Sequence, residues 1–103
     1  MTNQIYLITN TSTNKKYVGL TTKGVSERFK THIYQHRKHG SCTALYSAMR
    51  KYGADKFSIH AIEDCNDLSE LNAREVYWIE KLNTLSPNGY NLTTGGDAGI
   101  MSD

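Results

Sequence analysis

At 103 residues, 38% hydrophobic and 21% charged, the chain is sized for one domain around one hydrophobic core. It has no apolar run of membrane-spanning length and no basic-then-apolar leader, so a soluble intracellular protein is expected, with no membrane partner. A net charge of +2 does not by itself announce a polyanionic partner.

The chain opens with Gln4-Ile5-Tyr6-Leu7-Ile8-Thr9-Asn10, an apolar, β-branched run. A polar stretch follows, Thr11 to Lys16, and then a second short run, Tyr17-Val18-Gly19. Two such runs joined by a short polar segment predict an antiparallel β-hairpin. Because side chains alternate along a strand, Tyr6 shares a face with Ile8 and opposes Ile5 and Leu7. The hairpin can bring Tyr6 and Tyr17 close together. Two phenols at a sheet edge are compatible with simple packing, and the hairpin alone does not decide otherwise.

Residues 24–39 carry helical periodicity. Val25, Phe29 and Ile33 recur every four residues as an apolar stripe. Arg28, His32 and His36 recur at the same interval, with His39 three further on, which predicts a row of cationic or titratable groups beside the stripe. Arg and His in register can grip a phosphate and move protons near it. An exposed polar face explains the row equally simply. Gly40 is the expected C-terminal stop. From Lys15 to Lys56 there are ten Lys or Arg and only two acidic residues, Glu27 and Asp55, so this half is the candidate phosphate-facing surface.

A second helix is predicted over 43–52, with Ala44, Leu45, Ala48 and Met49 on one face, Arg50 and Lys51 towards solvent, and Gly53 as its stop. Phe57 to Ile62 reads as a third strand, with His60 on its polar face and no role assigned. Asp67-Leu68-Ser69-Glu70 predicts an N-cap with a capping-box glutamate. The helix it opens runs to about Leu82 with a stripe of Leu68, Leu71, Trp78, Ile79 and Leu82. Glu75 falls inside that stripe. A buried carboxylate is costly unless it is paired or holds a cation, so Glu75 is either a functional group or half of an ion pair. Pro87-Asn88-Gly89 predicts a turn, followed by Tyr90-Asn91-Leu92. Cys42 and Cys65 stand apart, without C-x-x-C or a histidine at zinc-ligand spacing, so two reduced thiols are expected. Residues 1–94 form the expected domain and residues 95–103 a tail or the start of a linker.

Taken together, Ile5-Tyr6, Tyr17-Val18-Gly19 eleven residues on, Arg28 and His32 as R-x-x-x-H, Arg74-Glu75 with Trp78-Ile79, and Gly89-Tyr90-Asn91 resemble the GIY-YIG nuclease family. Within it, the likeness is to the catalytic modules of phage and intron-encoded homing endonucleases. The pieces span residues 4 to 92 in family order. Gln4 stands where the motif has glycine. Leu20 follows Gly19 where some members carry lysine, a charge Lys23 can supply. A second histidine of some homing enzymes has two competing matches, His36 and His39.

The resemblance implies an α/β (α+β) fold: one small domain with a three-stranded antiparallel sheet flanked by helices. It implies a divalent-metal-dependent endonuclease with DNA as its partner, a phage- or bacteria-like cytoplasmic setting, and products ending in 5′-phosphate and 3′-hydroxyl. Glu75 is then the metal ligand, for Mg²⁺ or Mn²⁺ in its place. Tyr6 is the candidate general base, with Tyr17 and His32 the alternatives, and that role requires cations nearby because a phenol ordinarily ionises at about pH 10. Tyr17 orients water, Arg28 stabilises charge on the phosphate, His32 holds the Tyr6 hydroxyl or shuttles its proton, and Asn91 anchors the site. Lys23, His36, Arg37 and His39 are the expected phosphate contacts. The alternatives are a repair-type nicking nuclease and a non-catalytic nucleic-acid-binding module on the same fold. The oligomeric state is left open, a monomer being compatible with the sequence.

Overall fold

The computed structural model describes residues 3–35 and 43–95. The polypeptide runs β1 (Gln4–Asn10), β2 (Lys16–Thr21), α1 (Val25–Gln35), α2 (Thr43–Tyr52), a 3₁₀ turn (Ala54–Lys56), β3 (Phe57–Asp64) and α3 (Leu68–Leu82). These are the hairpin, two helices, strand and helix expected from the sequence. The three strands form one antiparallel sheet in the order β2-β1-β3. β3 continues to Asp64, two residues beyond the predicted end, because Gln4 and Ile5 of β1 still have partners there.

β1 is central, and Ile5, Tyr6, Leu7 and Ile8 are all buried. This explains its unbroken apolar run: a strand covered on both faces has no polar side to alternate with. One face carries Tyr6 and Ile8, packed with Leu45, Tyr46, Ala48 and Met49 of α2 and with the Val25, Phe29 and Ile33 stripe of α1. The other carries Ile5, Leu7, Val18 and Leu20 under Leu71 and Ile79 of α3. Each fully buried aliphatic side chain stabilises this sandwich by roughly 1.5–3 kcal/mol. A register shift in the β1–β3 pairing falls between Ile5 and Tyr6. Such bulges re-aim neighbouring side chains, and this one adjoins the most deeply buried phenol of the sheet.

Two expectations for α3 are adjusted. Leu68, the first residue of the helix, is 50% exposed and does not join the buried stripe. The cap at Asp67 forms, its carboxylate accepting from the Glu70 amide at 2.9 Å, but the Glu70 carboxylate reaches back to the Asn66 amide and not to that of Asp67. Arg74 Nε and Trp78 Nε1 both donate to Glu63 Oε1 of β3, at 2.7 and 2.8 Å. The helix is therefore tied to the sheet by polar residues on one flank and by Leu71 and Ile79 on the next. Cys65 is a free thiol, and burial together with Glu63 and Glu70 pushes its pKa up, so it resists ionisation and is a poor nucleophile. Cys42 and the predicted stop at Gly40 lie outside the described residues.

β2 is an edge strand, and the segment after α3 covers part of its outer edge. The Tyr90 amide donates to Lys16 O at 2.9 Å. The Asn91 side chain accepts from the Val18 amide at 2.9 Å and donates to Val18 O at 2.8 Å, so it stands in for a neighbouring strand. Gly89 is required for this approach, since a Cβ there would collide with the backbone of Thr84 and Lys16.

Candidate active site

The site begins with the register of the hairpin. Tyr6 pairs with Gly19, and Ile8 with Tyr17. Tyr6 and Tyr17 are therefore diagonal neighbours on one face, with ring centroids 6.4 Å apart. The Tyr6 ring lies flat over Gly19, and any Cβ at that position would overlap its phenol end. This is the physical reason for glycine in the Tyr-Val-Gly triplet: it makes room for the phenol of the facing strand.

The Tyr6 hydroxyl meets His32 Nε2 at 2.7 Å, and His32 Nδ1 meets the Tyr46 hydroxyl at 2.9 Å. The imidazole is thus held at both nitrogens by phenols from β1 and α2. Tyr17 packs edge-on against it at 5.8 Å. His32 is fully buried, so it belongs to the core side of α1 and not to a solvent-facing row; four-residue spacing put it in the predicted line, and the closing of α1 onto the sheet took it inside. Burial, reinforced by the Arg28 charge, pushes its pKa down from 6.5 to about 3, so the ring is neutral at working pH. Sequence reasoning passed over Tyr46. It adjoins the small and aliphatic residues of α2, where an aromatic reads as packing, and only its hydroxyl's aim separates it from them.

Arg28 lies one turn before His32. With Lys23, Thr21, Glu27 and Thr31 it lines a cleft of about 290 Å³ between the end of β2 and the start of α1. The structure therefore brings Lys23 and Arg28 together beside the phenol–imidazole cluster. His36, Arg37 and His39 lie outside the described residues.

Asn91 is buried, and its oxygen also accepts from Thr84 Oγ1 at 2.7 Å. These bonds fix β2 between Tyr17 and Gly19, which makes Asn91 an anchor of the strand beneath the site. Asn10 and Tyr90, also missed, do the same for the hairpin turn through a 3.0 Å bond from Asn10 Nδ2 to the Tyr90 hydroxyl.

Glu75 is only 8% exposed. It stands on α3 between Leu71 and Ile79, which pack on the face opposite the phenol cluster. A Cβ at Gly95 would lie 3.0 Å from its Oε1, so the segment after Asn91 passes directly over the carboxylate. Among the described residues no three His, Cys, Asp or Glu side chains converge as a metal cage. A single carboxylate is nonetheless a donor set that Mg²⁺ accepts, because that ion keeps most of its waters and completes its shell with substrate phosphate. The described residues fit such a singly anchored ion, and among them no set fits a two-metal cluster.

The neutrality of His32 has a consequence for stability. The unfolded chain takes up a proton at this residue below about pH 6.5, whereas the folded chain resists until about pH 3. Stability should therefore fall as pH drops through this window, by about 1.4 kcal/mol per pH unit at most. Urea titrations from pH 7 to pH 4 check this, and in His32→Gln the slope should flatten.

The sheet lies between helical layers, with the phenol–imidazole cluster on one face of the β1–β2 hairpin, a cationic cleft at the end of β2, and Glu75 on the helix that packs the other face; together these define a small α/β domain. Residues 2–91 match the GIY-YIG catalytic domain, and the chain belongs to that family. It is similar in structure to the catalytic domain of the homing endonuclease I-TevI, with a TM-score of 0.78 and 32% identity over 88% of this chain and 98% of that one. An E75A mutant of the same intron endonuclease domain gives a TM-score of 0.79 and 33% identity over 91% and 96%. Two proteins of Invertebrate iridescent virus 6 are also similar. One is an MSV199 domain-containing protein, 146R, 31% identical over 84 residues; the other is protein 019R, 31% identical over 90. The matched stretches are 80% and 84% of this chain but 34% and 32% of those proteins, so the chain spans about a third of their length. The similar solved structures are catalytic domains of an endonuclease. No helix among the described residues is long and apolar enough to cross a membrane.

Proposed function

We propose that the chain is the catalytic domain, over residues 1–94, of a divalent-metal-dependent endonuclease that hydrolyses DNA phosphodiesters in the manner of a homing-endonuclease module. The observation that carries this reading is the buried Tyr6 hydroxyl, bonded to a neutral His32, beside the cleft that holds Arg28 and Lys23. Tyr6 takes a proton from the attacking water. With Tyr6 entering as its phenolate, the oxygen of that water bonds to phosphorus, the bond from phosphorus to the 3′ oxygen breaks, the departing oxygen takes a proton from solvent, and the products are 5′-phosphate and 3′-hydroxyl ends. Arg28 and Lys23 bind the phosphate oxygens and stabilise the charge that grows on them. Tyr17, half-buried beside Tyr6, orients the water. Asn91 keeps β2 in register beneath these groups. Glu75 is the residue that would hold the divalent ion, which when bound supplies charge stabilisation and leaving-group help. We place the scissile phosphate at the Thr21 end of β2, because the outer edge is already covered at Lys16 and Val18. Purified protein should nick or linearise supercoiled plasmid with Mg²⁺ and lose that activity in EDTA; intact plasmid in both conditions would refute the reading.

Binding should be governed by phosphate contacts, with little sequence preference. No described element offers a helix free to read base edges, while Lys23 and Arg28 share one cleft. Log affinity should fall linearly with log salt, with a slope of about −0.9 for each phosphate neutralised. Lys23→Ala should reduce the slope by about one across unrelated duplexes. Mobility shifts at several salt concentrations check this, and tight binding to one sequence at physiological salt would contradict it.

A further inference from the structure

We infer that Tyr46 is a positioning residue of the site: its hydroxyl donates to His32 Nδ1, holds the ring in its Nε2–H tautomer and so keeps an N–H donor on the Tyr6 oxygen. The inference rests on the reading of Tyr6 as the base. Its structural ground is the chain Tyr46 hydroxyl to Nδ1 at 2.9 Å and Nε2 to Tyr6 hydroxyl at 2.7 Å, around a histidine with no exposed surface. A neutral imidazole carries one N–H, so only one of the two phenols can donate to it. The two arrangements have opposite consequences for Tyr6. If Tyr6 donates to a bare Nε2, its proton is pinned inside the protein and a lone pair faces the oxygen whenever it ionises. If Tyr46 donates to Nδ1, Nε2–H points at the Tyr6 oxygen and stabilises its ionised form.

The groups facing this ring come from four elements: Tyr6 from β1, Tyr17 from β2, Arg28 from α1 and Tyr46 from α2. Arg28 opposes a second proton on the imidazole, which leaves the tautomer as its remaining freedom. Tyr46 is packed among Leu45 and Met49 and bonds the imidazole nitrogen turned away from Tyr6, so it acts on Tyr6 only through His32. No proton passes through His32 in this arrangement. Tyr6 takes the water proton, and Nε2–H and the Tyr46 proton stay where they are.

The test combines a spectroscopic and a kinetic readout on the whole chain. With ¹⁵N-labelled histidine, and His32 assigned through His32→Gln, the wild type should show a protonated Nε2 and a bare Nδ1. In Tyr46→Phe, which frees Nε2 to accept from Tyr6, the ring should shift towards Nδ1–H. On plasmid with Mg²⁺, Tyr46→Phe should lower kcat about tenfold at neutral pH with KM unchanged, and should move the rising limb of the pH profile up by about one unit. Monofluorotyrosine at position 46, a stronger donor of nearly the same shape that stays protonated at neutral pH, should keep the wild-type tautomer and limb, and covers the case in which Tyr46→Phe folds poorly. A wild-type Nδ1–H tautomer, or a Tyr46→Phe protein with unchanged tautomer and limb, would overturn the inference. Full cleavage by Tyr6→Phe would instead remove the base reading, and the ¹⁵N spectra would still decide the tautomer.

Discussion

Tyr6→Phe should lose cleavage by about 10²–10⁴-fold while keeping the fold. Phenylalanine retains the ring that covers Gly19 and packs with Ile8, so the hydrophobic part of the site is preserved. What is removed is the oxygen 2.7 Å from His32 Nε2 and the proton acceptor it provides. The buried imidazole then lacks one partner, a loss of about 1–3 kcal/mol. For a domain of this size that is a drop of several degrees in melting temperature, well short of unfolding at assay temperature. Cleavage assays beside thermal melts separate the chemical from the structural effect. Near-normal cleavage would transfer the base to Tyr17 or His32.

Glu75→Gln should abolish cleavage and leave stability unchanged or slightly raised. The carboxylate is 8% exposed, between Leu71 and Ile79 and under Gly95, where ionisation carries a desolvation cost. Glutamine has the same shape, keeps an acceptor oxygen and removes the charge. The adjacent Arg74 is bonded to Glu63 at 2.7 Å. If Glu75 were half of a buried ion pair, its neutralisation would strand a charge and cost about 3–5 kcal/mol. If it holds the divalent ion, the apo protein is indifferent to the change and only catalysis suffers. Melts without metal and plasmid cleavage with Mg²⁺ distinguish the two. A large fall in melting temperature, or retained cleavage, would end the metal-ligand assignment.

The amino-acid sequence determined the strands and the three α-helices of this fold, because each carries a local cause, but not the 3₁₀ turn over Ala54–Lys56 or the last two residues of β3. The β-branched run of β1, the apolar spacing of α1 and α2, the Asp67 cap and the Pro87-Asn88-Gly89 turn each specify their own backbone. It also determined which side chains were out of place, notably Glu75 inside an apolar stripe. Only the tertiary structure decided what these side chains do to one another. Helical spacing cannot distinguish a histidine on the rim from one drawn into the core, so the burial and neutrality of His32 depended on how α1 closes over the sheet. Tyr46 reads as packing until its hydroxyl is seen aimed at a nitrogen fourteen residues earlier in the chain. Asn91 looks like a polar residue after a turn, and it became a substitute strand because β2 presented Val18 to it from 73 residues away. A hydrogen bond between distant residues has no period, and so leaves no pattern in the sequence for local reasoning to find.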